Sequence, residues 1–494
     1  MAPPRPGRGP LGPARPRAYL VGMTALDRLP FSETGGQRFP DLYRMLGALI
    51  FRPWFDSLAL RSVAEWYFPL SRGWAAAVAA DGDLERFLAA LPPDRALNRR
   101  VLPALERIAA RARTYQAAAA AWEAGFFAAA GHGASRFFAL EQERHRAAHR
   151  HMSSRLALLP FKRHLPPVRW EVAPPAEVEQ RHGPRLAAPA TAYAAPALPE
   201  INESARLPTE YGQDQWLRFR SPVLGDTAWA RVHAPRDLRD PPSVLFLHGI
   251  AMETEMWAGT AGVVEPLVGR GLRVIAPEGP WHGRRRAEGF YGGEPVFARG
   301  PLGLLDLFQA WIAEVAVLID WARRTSKGPV VLAGVSLGAL TAQLAACASR
   351  RWPAALRPDL LFLVATSGAL LEIASHGSLS RALGLPAAVL AQGWDDVELG
   401  RWLPLLQPDR EAPLDPERII MVLGRVDDLT PFDGGRALAE TWAVPADNLF
   451  LRDQGHFSVS LGLFPEPEPL ERLAALLRES RFPKSRLQGQ GPGL

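Results

Sequence analysis

Cysteine is almost absent from the 494-residue chain. Cys347 stands alone, which excludes a disulfide framework and leaves almost no room for a cysteine-based zinc site. Lysine is nearly as scarce: Lys162, Lys327 and Lys484 are the whole set, so the basic side chains are nearly all arginine. The net charge of +6 is small for the length. Arginines scattered along a sequence do not make a phosphate-tracking stripe, so no nucleic-acid partner is expected. The best apolar run near the start, Met45–Phe51, is too short to span a bilayer. Ala117–Leu140 is interrupted by Glu123, His132 and Arg136, and alanine contributes little transfer energy. Residues 1–17 are rich in proline and arginine with no apolar segment directly after them, unlike a secretory leader. The expectation is a cytoplasmic location, with peripheral membrane or lipid contact left open.

What is present reads as globular. Hydrophobic residues make up 48% of the chain, and a chain of this length buries a core without covalent staples. Residues 1–38 are expected to be flexible. Over residues 39–160 the apolar spacing is helical, as in Leu42, Leu46 and Ile50, in Leu84, Phe87 and Leu88, and in Leu102, Leu105 and Ile108. Pro92 and Pro93 break this region into at least two pieces. His145, His149 and His151 alternate with Arg144, Arg146 and Arg150. That pattern is expected to be a solvated basic helix face, not a metal site. Residues 161–211 are rich in proline and alanine and read as a linker or strap.

From residue 212 the texture changes. Asp214–Arg220 and Thr227–Ala234 alternate like antiparallel strands. Six short apolar runs then alternate with helical segments: Ser243–Leu247, Leu272–Ala276, Val330–Ala333, Leu360–Ala365, Ile419–Leu423 and Asn448–Leu451. Near-continuous hydrophobic strands are buried on both faces. The expected fold class is α/β, with a mostly parallel eight-stranded sheet flanked by helices, a helical N-terminal extension and a small helical cap.

One motif carries chemistry. Gly334-Val335-Ser336-Leu337-Gly338 follows a strand and opens a helix. A serine on such a sharp turn projects its hydroxyl above the carboxyl end of the sheet, and the next backbone N–H starts a helix. Two later strands end in Gly424-Arg425-Val426-Asp427-Asp428, with Pro431 beyond, and in Gln454-Gly455-His456-Phe457. The order Ser…Asp…His over residues 212–480 resembles an α/β-hydrolase domain of the serine esterase and lipase kind.

That resemblance implies roles. Ser336 would be the nucleophile, His456 the general base and then acid, and Asp427 the carboxylate that orients it, with Asp428 the adjacent alternative. The oxyanion hole would comprise the N–H groups of Leu337 and of Ile250 or Ala251, beyond His248-Gly249. His248 and His282 read as structural turn residues. His376 reads as an exposed polar residue in the cap. Trp257 and Trp281 are candidate walls for the substrate. The loop 278–299, with Arg284, Arg285 and Arg286, reads as a surface loop pinned by ion pairs. The insertion at about 367–417 is expected to be a modest cap of one or two helices. Cys347 reads as a small buried thiol, and residues 481–494 as a flexible tail. The implied activity is cleavage of a small-molecule ester or related acyl bond, needing neither metal nor organic cofactor. The alternatives are an acyltransferase using the same groups and a non-catalytic binding protein on the same fold. Nothing in the sequence speaks to oligomeric state.

Overall fold

Runs of Val, Leu and Ile with no polar interruption can be satisfied only inside a covered sheet, and that is where they lie. The computed structural model describes residues 53–92, 97–128, 133–236, 239–252, 264–463 and 466–479. Ten strands form one mixed sheet: β1 (Asn202–Glu203), β2 (Leu207–Pro208), β3 (Gly212–Arg220), β4 (Thr227–Pro235), β5 (Ser243–Leu247), β6 (Arg273–Pro277), β7 (Val330–Val335), β8 (Leu360–Val364), β9 (Ile419–Gly424) and β10 (Leu449–Arg452). The order is β1-β3-β4-β6-β5-β7-β8-β9-β10, with β2 beside β3. Strands β5 to β10 pair in parallel, while β3 and β4 run antiparallel at one end. The eight expected strands are all there. The two extra ones are two-residue pairings on β3, too short to register as periodicity.

Period-two alternation divides each strand between two cores. Leu245, Leu247, Leu332, Leu361, Leu363, Met421 and Leu423 face helices Pro301–Thr325 and Leu337–Ser349. Their neighbours Val244, Phe246, Val331, Ala333, Phe362, Val364, Ile420 and Val422 face Leu267, Val268, Val459, Leu470 and Leu473 on the other side. Helix Pro301–Thr325 is long and apolar enough to cross a membrane, yet 89% of its apolar window is buried inside the fold. It is the central helix against which the sheet packs.

The N-terminal region, expected to break into at least two helical pieces, holds helices Pro53–Ser62, Phe68–Ala80, Leu84–Ala89, Leu102–Phe126 and Ala134–Ser153. Other expectations are corrected. The Arg and His residues near 144–151 are not all a solvated face. Arg144 is fully buried over the rings of Trp122 and Trp216, and Glu141 accepts from it at 2.9 Å. His151 lies between Trp74 and Tyr115, and burial pushes its pKa down to about 3, helped by Arg286 and Arg155. The proline-rich stretch 161–211 holds a helix, Pro175–Ala187, besides β1 and β2. The insertion between β8 and β9 is five short helices, not one or two: Leu370–His376, Ser378–Leu383, Leu385–Leu390, Asp396–Arg401 and Leu403–Leu406. Much of it is core, since Trp394, Trp402 and Leu405 are buried with the main cluster and the Trp394 indole N–H donates to the Ala173 carbonyl at 2.7 Å.

The loop with three arginines is buried, not superficial. Arg285 uses all five of its N–H donors: Nε and Nη2 on Asp226 (both 2.9 Å), Nη1 and Nη2 on Glu314 (2.8 and 2.7 Å), and Nη1 on the Glu278 carbonyl (3.0 Å). A lysine has three donors on a single atom and cannot reproduce this fork. Arg285→Ala leaves the buried Glu314 carboxylate without its cation. It is expected to lower unfolding free energy by about 3–5 kcal/mol, read from urea denaturation. The double replacement Arg285→Met with Glu314→Leu should cost clearly less than the single one, and equal or greater loss would show that charge pairing is not the cause.

Candidate active site

Four strands deliver the site at their carboxyl ends, β5 and β7 at the centre and β9 and β10 beyond, where ligands bind in open α/β sheets. β7 ends at Val335 and the next residue turns sharply. Ser336 has φ +55° and ψ −122°, a region that costs of order 1–3 kcal/mol for a residue with a side chain. Its N–H donates to the Val364 carbonyl at 3.0 Å, and the chain then enters helix Leu337–Ser349. The flanking glycines make the turn sterically open. A methyl on Gly334 would come within 2.4 Å of the Gly338 carbonyl, and one on Gly338 within 2.1 Å of the Leu247 carbonyl oxygen.

The Ser336 hydroxyl, half-buried, is 2.9 Å from Nε2 of His456. His456 is the first residue of helix His456–Leu461, and its Nδ1 is 2.8 Å from Oδ2 of Asp427. Asp427 is fixed by its own loop: Oδ1 accepts the N–H groups of Leu429 and Thr430, each at 2.9 Å. The Thr430 hydroxyl lies 2.8 Å from Oδ2 and 3.1 Å from the Ala365 carbonyl, so its one proton serves either acceptor. Asp428 turns the other way, accepting from the Ser378 hydroxyl at 2.8 Å on the inserted helix Ser378–Leu383. The geometry therefore separates two aspartates that the sequence left as alternatives. Burial by itself would lower the His456 pKa. The Asp427 carboxylate, through charge and hydrogen bond, outweighs burial and holds it above the usual 6.5, with Asp56 and Asp428 adding to the effect.

The turn after β5 comes close to the serine: a methyl on Gly249 would lie 3.5 Å from the Ser336 Cβ. Two imidazoles stitch this turn to the loop after β6. His248 Nδ1–H donates to the Gly249 carbonyl at 2.7 Å while its Nε2 accepts the Gly279 N–H at 3.0 Å. His282 Nδ1–H donates to the Pro280 carbonyl at 2.9 Å while its Nε2 accepts the Ala251 N–H at 3.1 Å. In both rings one nitrogen is an acceptor, so both are neutral. Burial pushes the pKa of His248 down to about 4 and that of His282 well below its ordinary value. Because the Ala251 N–H is engaged by His282, Ile250 and Leu337 are the remaining pair of candidate oxyanion donors.

The other singled-out residues divide. Trp281 is 8% exposed and belongs to the main core, with Arg299 over its ring, so the structure gives it a packing role. Trp257 lies outside the described residues. His376 is exposed at the end of helix Leu370–His376. Cys347 is buried, which raises its thiol pKa to about 12 and keeps it protonated. Thr430 had no signal in the sequence beyond its place three residues after Asp427. Tyr67 had none at all: its hydroxyl donates to the Ala251 carbonyl at 3.1 Å across 184 positions.

The sequence signature of the Alpha/beta hydrolase family matches residues 244–476. Solved structures similar to this chain include an acetyl xylan esterase from Paenibacillus sp. R4, at 16% identity over 62% of this chain and 95% of that one, with a TM-score of 0.42. An S-formylglutathione hydrolase from Agrobacterium tumefaciens matches at 16% identity over 55% and 98%, with a TM-score of 0.37. A Pyrobaculum calidifontis esterase matches at 15% identity over 62% and 93%, with a TM-score of 0.36. Comparison with curated proteins finds no match. The family signature runs from β5 into the helix Glu468–Glu479, on a mostly parallel sheet flanked by helices, so over residues 244–476 the chain is similar to the Alpha/beta hydrolase family and has the α/β-hydrolase fold.

Proposed function

We propose that this protein is a serine hydrolase that cleaves carboxylic esters or related acyl bonds through an acyl-enzyme on Ser336. The observation that carries this reading is the unbroken hydrogen-bonded chain from Ser336 Oγ to His456 Nε2 (2.9 Å) and from His456 Nδ1 to Asp427 Oδ2 (2.8 Å). His456 takes the hydroxyl proton as Ser336 attacks the acyl carbon. The oxyanion that forms is met by the N–H groups of Leu337 and Ile250, each such donor being worth about 3 kcal/mol. His456 then protonates the leaving alkoxide, the acyl-oxygen bond breaks, and the ester alcohol departs. Water gives up a proton to His456, attacks the acyl-enzyme, and the acid leaves as Ser336 recovers its proton. Asp427 stays ionised throughout and stabilises the imidazolium.

The surroundings point to an apolar acyl group. Phe68, Ala251, Leu379 and Leu429 are buried in one cluster with Tyr67, Ile250 and Phe457 packed on it. These residues adjoin the turn after β5, the Asp427 loop and the His456 helix, so the flanks of the site are hydrocarbon.

A fluorophosphonate probe is expected to label Ser336 in the folded protein, with Ser336→Ala unlabelled. Hydrolysis of a p-nitrophenyl ester should fall about 10⁴-fold in Asp427→Asn, which stabilises the wrong imidazole tautomer, while Asp428→Asn retains most of the activity. An unlabelled wild type would remove the enzyme reading. The pH profile has a fixed sign. His456 must be neutral to act as base, so kcat/KM rises with pH through its pKa, and the midpoint of that limb should lie above 6.5 because Asp427 raises it. A midpoint well below 6.5 contradicts the assignment. Finally, if the acyl side is hydrocarbon, kcat/KM should climb about fourfold per added methylene, from roughly 0.8 kcal/mol of burial each, until the pocket is filled. A flat series from acetyl to octanoyl esters would remove the apolar acyl site.

A further inference from the structure

The segment that carries His456 is gripped by a side chain from the far end of the sequence. Asp56 lies on helix Pro53–Ser62. Its Oδ1 accepts the N–H groups of Phe457 and Ser458, at 2.7 and 3.0 Å. Its Oδ2 accepts the Gly455 N–H at 3.2 Å and the Ser458 hydroxyl. The first N–H groups of a helix have no partner within it, and here a carboxylate 399 positions away from Gly455 supplies them. Gly455 is what leaves room: a methyl there would stand 2.5 Å from Cγ of Asp56. Its own φ of −95° makes no demand for glycine, so close approach is the physical reason for that residue. A second contact from the same stretch, Tyr67 to the Ala251 carbonyl, reaches the turn after β5. The N-terminal helices thus touch both sides of the serine.

We propose that Asp56 is a positioning residue: by capping Gly455–Ser458 from outside, it sets the reach of the His456 imidazole toward Ser336 and makes the N-terminal helices part of the active-site machinery. This rests on the reading of Ser336 as nucleophile and His456 as base. Two consequences separate it from a merely structural contact. Without the cap, the imidazole loses its alignment, and a misplacement of about 1 Å costs on the order of 100-fold in rate. Without the charge, the imidazolium loses one of its supports. The groups facing His456 are the carboxylates of Asp427, Asp56 and Asp428 and the hydroxyl of Thr430. Removing any of the three negative charges makes the imidazolium less favourable, so the acid limb of the pH profile moves to lower pH.

The test uses the full-length protein, a p-nitrophenyl ester and the fluorophosphonate probe. Asp56→Ala removes cap and charge. Its kcat is expected to fall about 10- to 100-fold with KM within about threefold of wild type, and its acid limb to shift to lower pH. Asp56→Asn keeps an acceptor for Phe457 and Ser458 but no charge, so it should retain most of kcat while showing the same shift. A folded Asp56→Ala, by circular dichroism and melting temperature, with wild-type kcat and pH profile overturns the proposal. If Asp56→Ala does not fold, Asp56→Asn decides: an unmoved acid limb overturns the role, a shifted one supports it. A wild type that the probe leaves unlabelled overturns the hydrolase reading and this role with it. A labelled wild type indifferent to Asp56 overturns this role alone.

Discussion

An imidazole can accept a proton at Nε2 only while its Nδ1 keeps a proton, and that depends on what lies opposite Nδ1. In this fold the opposing group is Oδ2 of Asp427 at 2.8 Å. Almost every other feature near the site follows from holding that pair in place. Asp427 cannot swing away, because two backbone N–H groups hold its other oxygen and Thr430 stands at its side. β9 and β10 are parallel neighbours, with Leu423 opposite Leu451 and Gly424 opposite Arg452. Their ends are therefore in register, and the two loops that leave them meet. The strained turn at Ser336 completes the geometry from β7, where the cost of a positive φ is offset by close packing of strand and helix.

Four buried histidines, three of them in or beside this site, have been driven to opposite chemistry by their surroundings. His248, His282 and His151 have no carboxylate among the causes of their shifts, and burial lowers all three. His456 is also buried, but Asp427 faces it and the balance reverses. When the pH falls into the range where His456 gains a proton, His248 and His282 are still neutral. The turn that carries Ile250 keeps its two stitches at a pH where His456 is already protonated. Separating the groups in this way lets a titration at His456 report on one residue and not on collapse of that turn.

The strands were legible because burial on both faces forbids polar interruption, which writes itself directly into the sequence. Ser336, Asp427 and His456 were legible because each sits just past such a strand in a short motif. Other features depend on distant partners and left no local trace. Arg144 and His151 look like solvent-facing residues until Trp122, Trp216, Trp74 and Tyr115 close around them. Arg285 reads as a loop arginine until Asp226 and Glu314 arrive from either side. The inserted helices were undercounted because each is only four to seven residues long, less than two turns, so none shows a helical period.

The N-terminal helices pose the sharpest version of this. Their apolar stripes say only that they pack on something. What they pack on is set by polar contacts, the Asp56 carboxylate at Gly455–Ser458 and the Tyr67 hydroxyl at Ala251. The hydrophobic effect has no direction. Hydrogen bonds to fixed N–H groups have one. A cluster that includes Phe68, Leu379 and Leu429 supplies the adhesion, and two polar side chains supply the register. That division of labour lets an added helical layer abut the candidate site in a defined register: the energy comes from a non-directional effect, and the alignment comes from directional groups.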